Sequence, residues 1–270
     1  MKLQGATIEA YPRIRRLMAD GGRLGREKHL VHGLYEMDVT AARQAIRSYR
    51  AQSGNGLSLN AYMIASVARA VEQHKQMQAC FSGRHKIVIF DDVDINTMFE
   101  VEEDGQKAIR PHILRAVNKK TPTELYAEIR AFQQNPNEGG EKRAIEWFVR
   151  LPGFLRRAIL RAMFRNPARL KKLNGTVSLS SVGMFGQGGG WGIPVSNATL
   201  QITLGGIVKR PALIEGKLTE RQYLYVTVSV NHDLVDGAPA ALCADAQRDC
   251  RKRRGAEIIH RKLENTHASI

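Results

Sequence analysis

Apolar and polar positions along this chain switch between two periods. His29 to Val39, HLVHGLYEMDV, alternates at the two-residue period of a half-buried strand. Thr40 opens a helical stretch, AARQAIRSYRAQ, which Gly54-Asn55-Gly56 closes. Between Leu59 and His74 the apolar residues (Tyr62, Ile64, Ala65, Val67, Ala68, Ala70, Val71) recur at helical spacing. KIVIF (86–90) and VDINTMFEVE (93–102) predict strands, and Ile109 to Val117 an extended segment. Thr121-Pro122-Thr123-Glu124 has the form of a helix start and predicts a helix to about Phe132. A loop follows at 135–140. GTVSLSSVGMFG (175–186), TLQITLGGIV (199–208) and YLYVTVSV (223–230) predict further strands around a glycine-rich loop, and a last helix follows Gly237. A short helix is expected at Pro12 to Met18. With no repeat and no linker, the pattern predicts one mixed α/β domain over residues 1–270.

One segment stands apart. Residues 141–173 carry ten basic side chains against Glu141 and Glu146, about half the excess in a chain with 41 Lys+Arg, 26 Asp+Glu and a net charge of +15. Within it Leu151, Phe154, Leu155, Ala158, Ile159, Ala162 and Met163 form a helical stripe, with Arg156, Arg157, Arg161 and Arg165 off it. This predicts a basic amphipathic helical insertion. Packing of the stripe on its own domain or on a neighbouring subunit is the expectation, because most such helices in soluble chains pack. The rival reading is a helix lying on an anionic membrane surface. No nucleic-acid module accompanies the charge, so a nucleic-acid partner is not expected. Further basic clusters lie at Arg13–Lys28 and Arg251–Arg254.

Several classes are excluded. The chain has no run of eighteen apolar residues, and its start lacks the apolar core of a secretory signal. Its three cysteines, Cys80, Cys243 and Cys250, form no CxxC pair. Neither a disulfide framework nor a metal site is expected, and a cytoplasmic location fits, peripheral to a membrane if the insertion binds one.

The sharpest chemical signal is Asn231-His232-Asp233-Leu234-Val235-Asp236-Gly237-Ala238, at the end of an alternating strand and before a helix. A histidine at a strand end, with an aspartate four residues on and a glycine permitting a tight turn, suits an imidazole held at a cleft. Alone the string is short. Upstream stand SLSSVGMFG (178–186) and ATLQITLGGIVKRP (198–211). Together the three strings resemble the catalytic domain of the dihydrolipoamide acyltransferase components of 2-oxo acid dehydrogenase complexes, which is similar in fold to chloramphenicol acetyltransferase. HGLYEMDVTAAR (32–43), LSLNAYMIASVARAV (57–71) and IVIFDDVDINTMFEVEEDG (87–105) extend the resemblance in order, and Arg26-Glu27-Lys28-His29-Leu30 resembles a string of the acetyltransferases.

The resemblance implies a two-layer fold, a mixed sheet with helices on one face, and a homotrimer or larger trimer-based assembly with the active site between subunits. It implies an acyltransferase that moves an acyl group between coenzyme A and a thiol or hydroxyl acceptor, small or lipoyl-type. His232 would be the general base and Ser180 the oxyanion donor, with Ser181 as the alternative should the register slip. Asp236 would pair with Arg26 to fix the histidine turn. Basic residues near the channel would serve the CoA phosphates. The chain departs from the family at Asn231 and Asp233, the latter expected to act on His232, and in GQGGGWGIPVSN (186–197). With the similarity beginning near residue 26, no lipoyl attachment is expected in this chain. Those departures and the insertion leave a second expectation, a non-catalytic scaffold or membrane-surface protein on the same fold.

Overall fold

The computed structural model describes residues 9–103, 105–136, 147–183 and 188–236, with 5, 7, 245 and 246. The elements in chain order are α1 (Arg13–Gly25), β1 (Leu30–Asp38), α2 (Thr40–Ser53), α3 (Leu59–Gln73), β2 (Cys80–Ser82), β3 (Lys86–Val88), β4 (Ile95–Glu103) and β5 (Gln106–Leu114). After them come α4 (Pro122–Gln134), α5 (Gly153–Phe164), α6 (Pro167–Asn174), β6 (Val177–Ser181), β7 (Leu200–Ile214) and β8 (Lys217–Asn231). One six-stranded sheet runs in the order β1-β8-β7-β6-β4-β5, and β2 and β3 form a separate hairpin. The sheet is mixed: β4–β6 and β6–β7 are parallel, the other pairs antiparallel. The helix expected after Gly237 and the Arg251–Arg254 cluster lie outside the described residues, apart from 245 and 246.

Local chemistry sets the helix ends. The Ser58 hydroxyl accepts the Ala61 N–H at the start of α3. Thr121 and Glu124 form a reciprocal capping box at the start of α4. Gly54, with φ at 69°, supplies the left-handed residue that stops α2. Thr40, expected to open α2, is its first helical residue, and its N–H bonds the Asp38 carboxylate at 3.0 Å. α1 runs on to Gly25, past its expected end at Met18 and through Gly21 and Gly22. The cause is tertiary: the buried Asp20 is gripped by arginines from α5.

The sheet has one apolar and one polar face. Val177 and Leu179, Leu200, Ile202 and Leu204, and Leu224, Val226, Val228 and Val230 face one way and are buried with α3, whose residues Ala61–Ala68 are all inaccessible or nearly so. Burying these runs is the main stabilising term, and α2 and α4 extend the same layer. The opposite face carries Ser178 and Ser180, Gln201 and Thr203, Thr227 and Ser229. A second helical group, α1, α5 and α6, sits at the sheet end where β6 begins and β8 finishes. Arg115 ties α6 to the sheet, donating to the Lys171 carbonyl at 2.7 Å and the Asp94 carboxylate at 2.9 Å.

Within the chain the apolar stripe of 151–163 packs only in part: Leu151, Ile159 and Met163 are half-buried, while Phe154, Leu155, Ala158 and Ala162 are exposed. Arg156, expected to be solvated, is the best-buried α5 residue at 6% exposure, whereas Phe154 is 69% exposed. A buried carboxylate opposite, Asp20, outweighs the stripe in setting which side of α5 faces the fold.

Candidate active site

The last residues of β8 build a turn that projects His232. The buried Asn231 carbonyl accepts the N–H groups of Leu234 and Val235 at 3.1 and 3.2 Å, and its side-chain oxygen accepts that of Asp233 at 3.3 Å. His232 N–H donates to the His29 carbonyl at 2.8 Å, which stitches the turn to the residue before β1. The imidazole itself is half-exposed, with Nδ1 3.7 Å from Asp236 Oδ1. That gap is longer than a hydrogen bond, and the Asp236 side chain is itself exposed, so the carboxylate lies beside Nδ1 without bonding it.

Two expectations are corrected here. Asp233, expected to act on His232, turns its carboxylate to His29 Nδ1 at 2.8 Å instead. Arg26 and Asp236 form no ion pair. Arg26 is exposed and closes α1 through its backbone N–H, 3.2 Å from the Gly22 carbonyl. The corner around Arg26 is held instead by Glu27, which Arg161 pairs, and by Asp20. Burial would raise the Asp20 carboxyl, but hydrogen bonds from Arg156 and Arg157 hold it below the usual range.

Ser180 lies on the polar face of β6. Gln201 Nε2 donates to its Oγ at 3.2 Å, and Thr203 Oγ1 is 3.3 Å away. With Gln201 donating, the serine proton remains available to a second acceptor. Ser181 points to the opposite face and lines a cavity of about 430 Å³ with Leu59, Asn60, Met63, Gly183 and Leu204. The segment 188–197 crosses the polar face beside Ser180, with Trp191 edge-on to Tyr225 at 4.2 Å. Gly205 and Gly206, where the β7–β8 register shifts, let it approach: a Cβ on either would stand 2.1 or 2.0 Å from the Gly190 or Gly188 carbonyl.

His232 and Ser180 do not meet within one chain. Ser180 pairs with Thr203 and Thr203 with Thr227, which places it level with Thr227 and two strands away. His232 is five residues further along, so about 17 Å on one axis and 10 Å on the other separate them, roughly 20 Å.

Beside the histidine turn lies a cleft of about 340 Å³ that the sequence reading did not single out. Glu27, Lys28, Cys80, Arg161, Phe164 and Asp233 line it. Enclosure lowers the Lys28 ammonium to about 8, against the opposing pull of the Asp233 carboxylate. Burial pushes the Cys80 thiol up, which keeps it protonated. The signal for Lys28 was its place in the Arg26–Leu30 string. Among the described residues no group of three or more His, Cys, Asp or Glu stands close enough to hold a metal, and no helix is long and apolar enough to cross a membrane.

Comparison with known proteins fits this architecture. The chain is 25% identical over 231 residues to the lipoamide acyltransferase component of the branched-chain alpha-keto acid dehydrogenase complex of Pseudomonas putida, covering 82% of this chain and 47% of that protein. It thus spans about half the length of that relative. Its fold matches the cubic core of a pyruvate dehydrogenase multienzyme complex, with a TM-score of 0.67 at 15% identity, covering 95% of this chain and 96% of that one. It also matches the dihydrolipoamide acetyltransferase (E2p) of Azotobacter vinelandii, with a TM-score of 0.66 at 15% identity and 94% coverage of each chain. The model of the 2-oxoacid dehydrogenases acyltransferase (catalytic domain) matches residues 23–143 and 164–249, the two stretches that flank 144–163 and together contain Ser180, His232 and their supporting strands. By that match over most of its length, the chain belongs to the 2-oxoacid dehydrogenase acyltransferase catalytic-domain family.

Proposed function

We propose that this chain is a CoA-dependent acyltransferase in which His232 is the general base and Ser180 stabilises the oxyanion. The observation that carries this reading is the His232 turn: a half-exposed imidazole with a carboxylate on its Nδ1 side, at the place in the family fold where the resemblance puts the base. An acceptor thiol or hydroxyl loses its proton to His232 Nε2 as its sulfur or oxygen attacks the acyl-CoA thioester carbon. The carbonyl oxygen becomes an oxyanion and accepts the Ser180 proton as a hydrogen bond. Collapse breaks the carbon–sulfur bond to CoA, and the leaving thiolate takes the proton back from the imidazolium. Lys28, at the cleft beside the turn, supplies a cation for the CoA phosphates.

The 20 Å separation supports a site completed by a neighbouring subunit, in a homotrimer or larger assembly. A small thiol or a lipoyl group carried on another protein would serve as acceptor. We propose a cytoplasmic location, where acyl-CoA and reduced thiols are at hand.

The test is thiol release from acyl-CoA with dihydrolipoamide as acceptor. His232→Ala should lower turnover about 10²- to 10⁴-fold. Ser180→Ala should lower it about 10²-fold, roughly 3 kcal/mol of oxyanion stabilisation, while Ser181→Ala leaves it nearly intact. Activity unchanged in His232→Ala would overturn the assigned mechanism.

A further inference from the structure

Helix α5 is docked inside out. On an ordinary surface helix the apolar stripe faces the fold and the charges face water. Here the fold takes the charges. Arg156 reaches Asp20 at 2.7 and 2.8 Å and the Leu151 carbonyl at 2.6 Å. Arg157 reaches the other Asp20 oxygen at 3.1 Å, and Arg161 pairs with Glu27. These three cations are neutralised by α1 and its exit. Part of the stripe is left outward: Phe154 is 69% exposed, Leu155, Ala158 and Ala162 are exposed with it, and Leu151, Ile159 and Met163 are half-buried.

The surroundings of the stripe indicate what covers it. Trp147, 65% exposed, precedes it in the 147–150 helical turn. Arg150, Arg169 and Lys172 are exposed nearby in sequence and form no ion pair among the described residues. The exposed side chains of 147–173 therefore combine apolar and aromatic groups with cations that no acid neutralises. In a two-fold contact a second copy of this chain would bring the same cations against themselves, in a molecule of net charge +15. An anionic bilayer surface meets both demands, taking Phe154 and Trp147 into its interface while its headgroups face the cations.

We propose that residues 147–173 form a docking surface for anionic lipid, with Phe154 and Trp147 entering the interfacial layer and Arg150, Arg169 and Lys172 contacting headgroups. The docking leaves Asp20 and its arginines in place, so it needs no refolding of the helix. It is independent of the acyltransferase reading.

The full chain is mixed with vesicles of phosphatidylglycerol or of phosphatidylcholine and sedimented. It should pellet with the anionic vesicles at low ionic strength. Binding should fall at least about tenfold at roughly 0.5 M salt, where exposed charges are screened. In a Trp191→Phe background, Trp147 emission should shift to the blue on binding. Phe154→Glu should weaken binding about tenfold while acyl-CoA turnover and the assembly mass by light scattering stay unchanged. Failure to pellet with anionic vesicles overturns the proposal, as does equal binding to both vesicle types. A change of assembly mass in Phe154→Glu also overturns it, because the stripe is then a contact between copies of this chain.

Discussion

Asp20 meets three arginines, more than any other acidic side chain in the described ion pairs. It is 1% exposed and meets Arg156, Arg157 and, at 3.6 Å, Arg23. Asp20→Asn keeps the shape and removes the charge, leaving the buried Arg156 uncompensated. The expected loss is about 3 kcal/mol, read by urea unfolding. The pH dependence follows from the same contacts. Burial would raise Asp20 and Asp38, yet the hydrogen bonds of Arg156 and Arg157, and of Thr40 and Arg221, hold both below the usual range. As pH falls through about 4 the unfolded chain takes up these protons first, so their stabilisation is complete above that pH and lost below it. Lys28 acts at the other end of the scale. Below 8 both states carry its proton, and the folded chain bears the cost of an enclosed ammonium. Between 8 and 10.5 the unfolded chain keeps a proton that the folded chain has released, so stability rises with pH. Thermal unfolding of wild type and Lys28→Met across pH 7 to 10 should show the variant's advantage shrinking above about 8.

At the scale of elements, alternation and side-chain chemistry told different amounts. Val177 and Leu179 are apolar at two-residue spacing, so the sequence itself sends Ser180 and Ser181 to opposite faces. The His232 turn was legible for the same reason: an unbroken strand pattern delivers it to a known end. The docking of α5 was not legible. Its stripe specifies two sides, and which side finds the fold depends on Asp20, 136 residues away in sequence. The Arg26–Asp236 pairing failed similarly, because it was inferred from resemblance at two exposed ends rather than from residues that must be buried together. The 188–197 segment shows what a glycine cluster contributes. Gly205→Ala drives a methyl into the Gly190 carbonyl, and Gly206→Ala one into that of Gly188. Either should destabilise the fold by about 1–3 kcal/mol and lower turnover by lifting the segment from beside Ser180. Circular dichroism melts together with the thiol-release assay would separate the two effects.

At the scale of the whole molecule, one geometric fact constrains any mechanism that uses both His232 and Ser180. They are roughly 20 Å apart on a sheet whose strand pairing is continuous between them, and no side-chain rotation closes that gap. Either only one of them acts, or each works with its counterpart on another copy. A mixing experiment decides. His232→Ala chains keep a good serine, and Ser180→Ala chains keep a good histidine. Each alone assembles only defective sites. Co-assembled at equal amounts, a closed ring presents one interface in about four where the intact histidine of one chain meets the intact serine of the next. Activity should therefore recover to about a quarter of wild type. Native mass spectrometry confirms that mixed assemblies have formed. Mixed assemblies that stay as inactive as their parents would show that the site is not shared between subunits. Recovery would fix the histidine turn and the polar face of β6 as the two halves of one site, with Lys28 and the cleft beside His232 belonging to the histidine half.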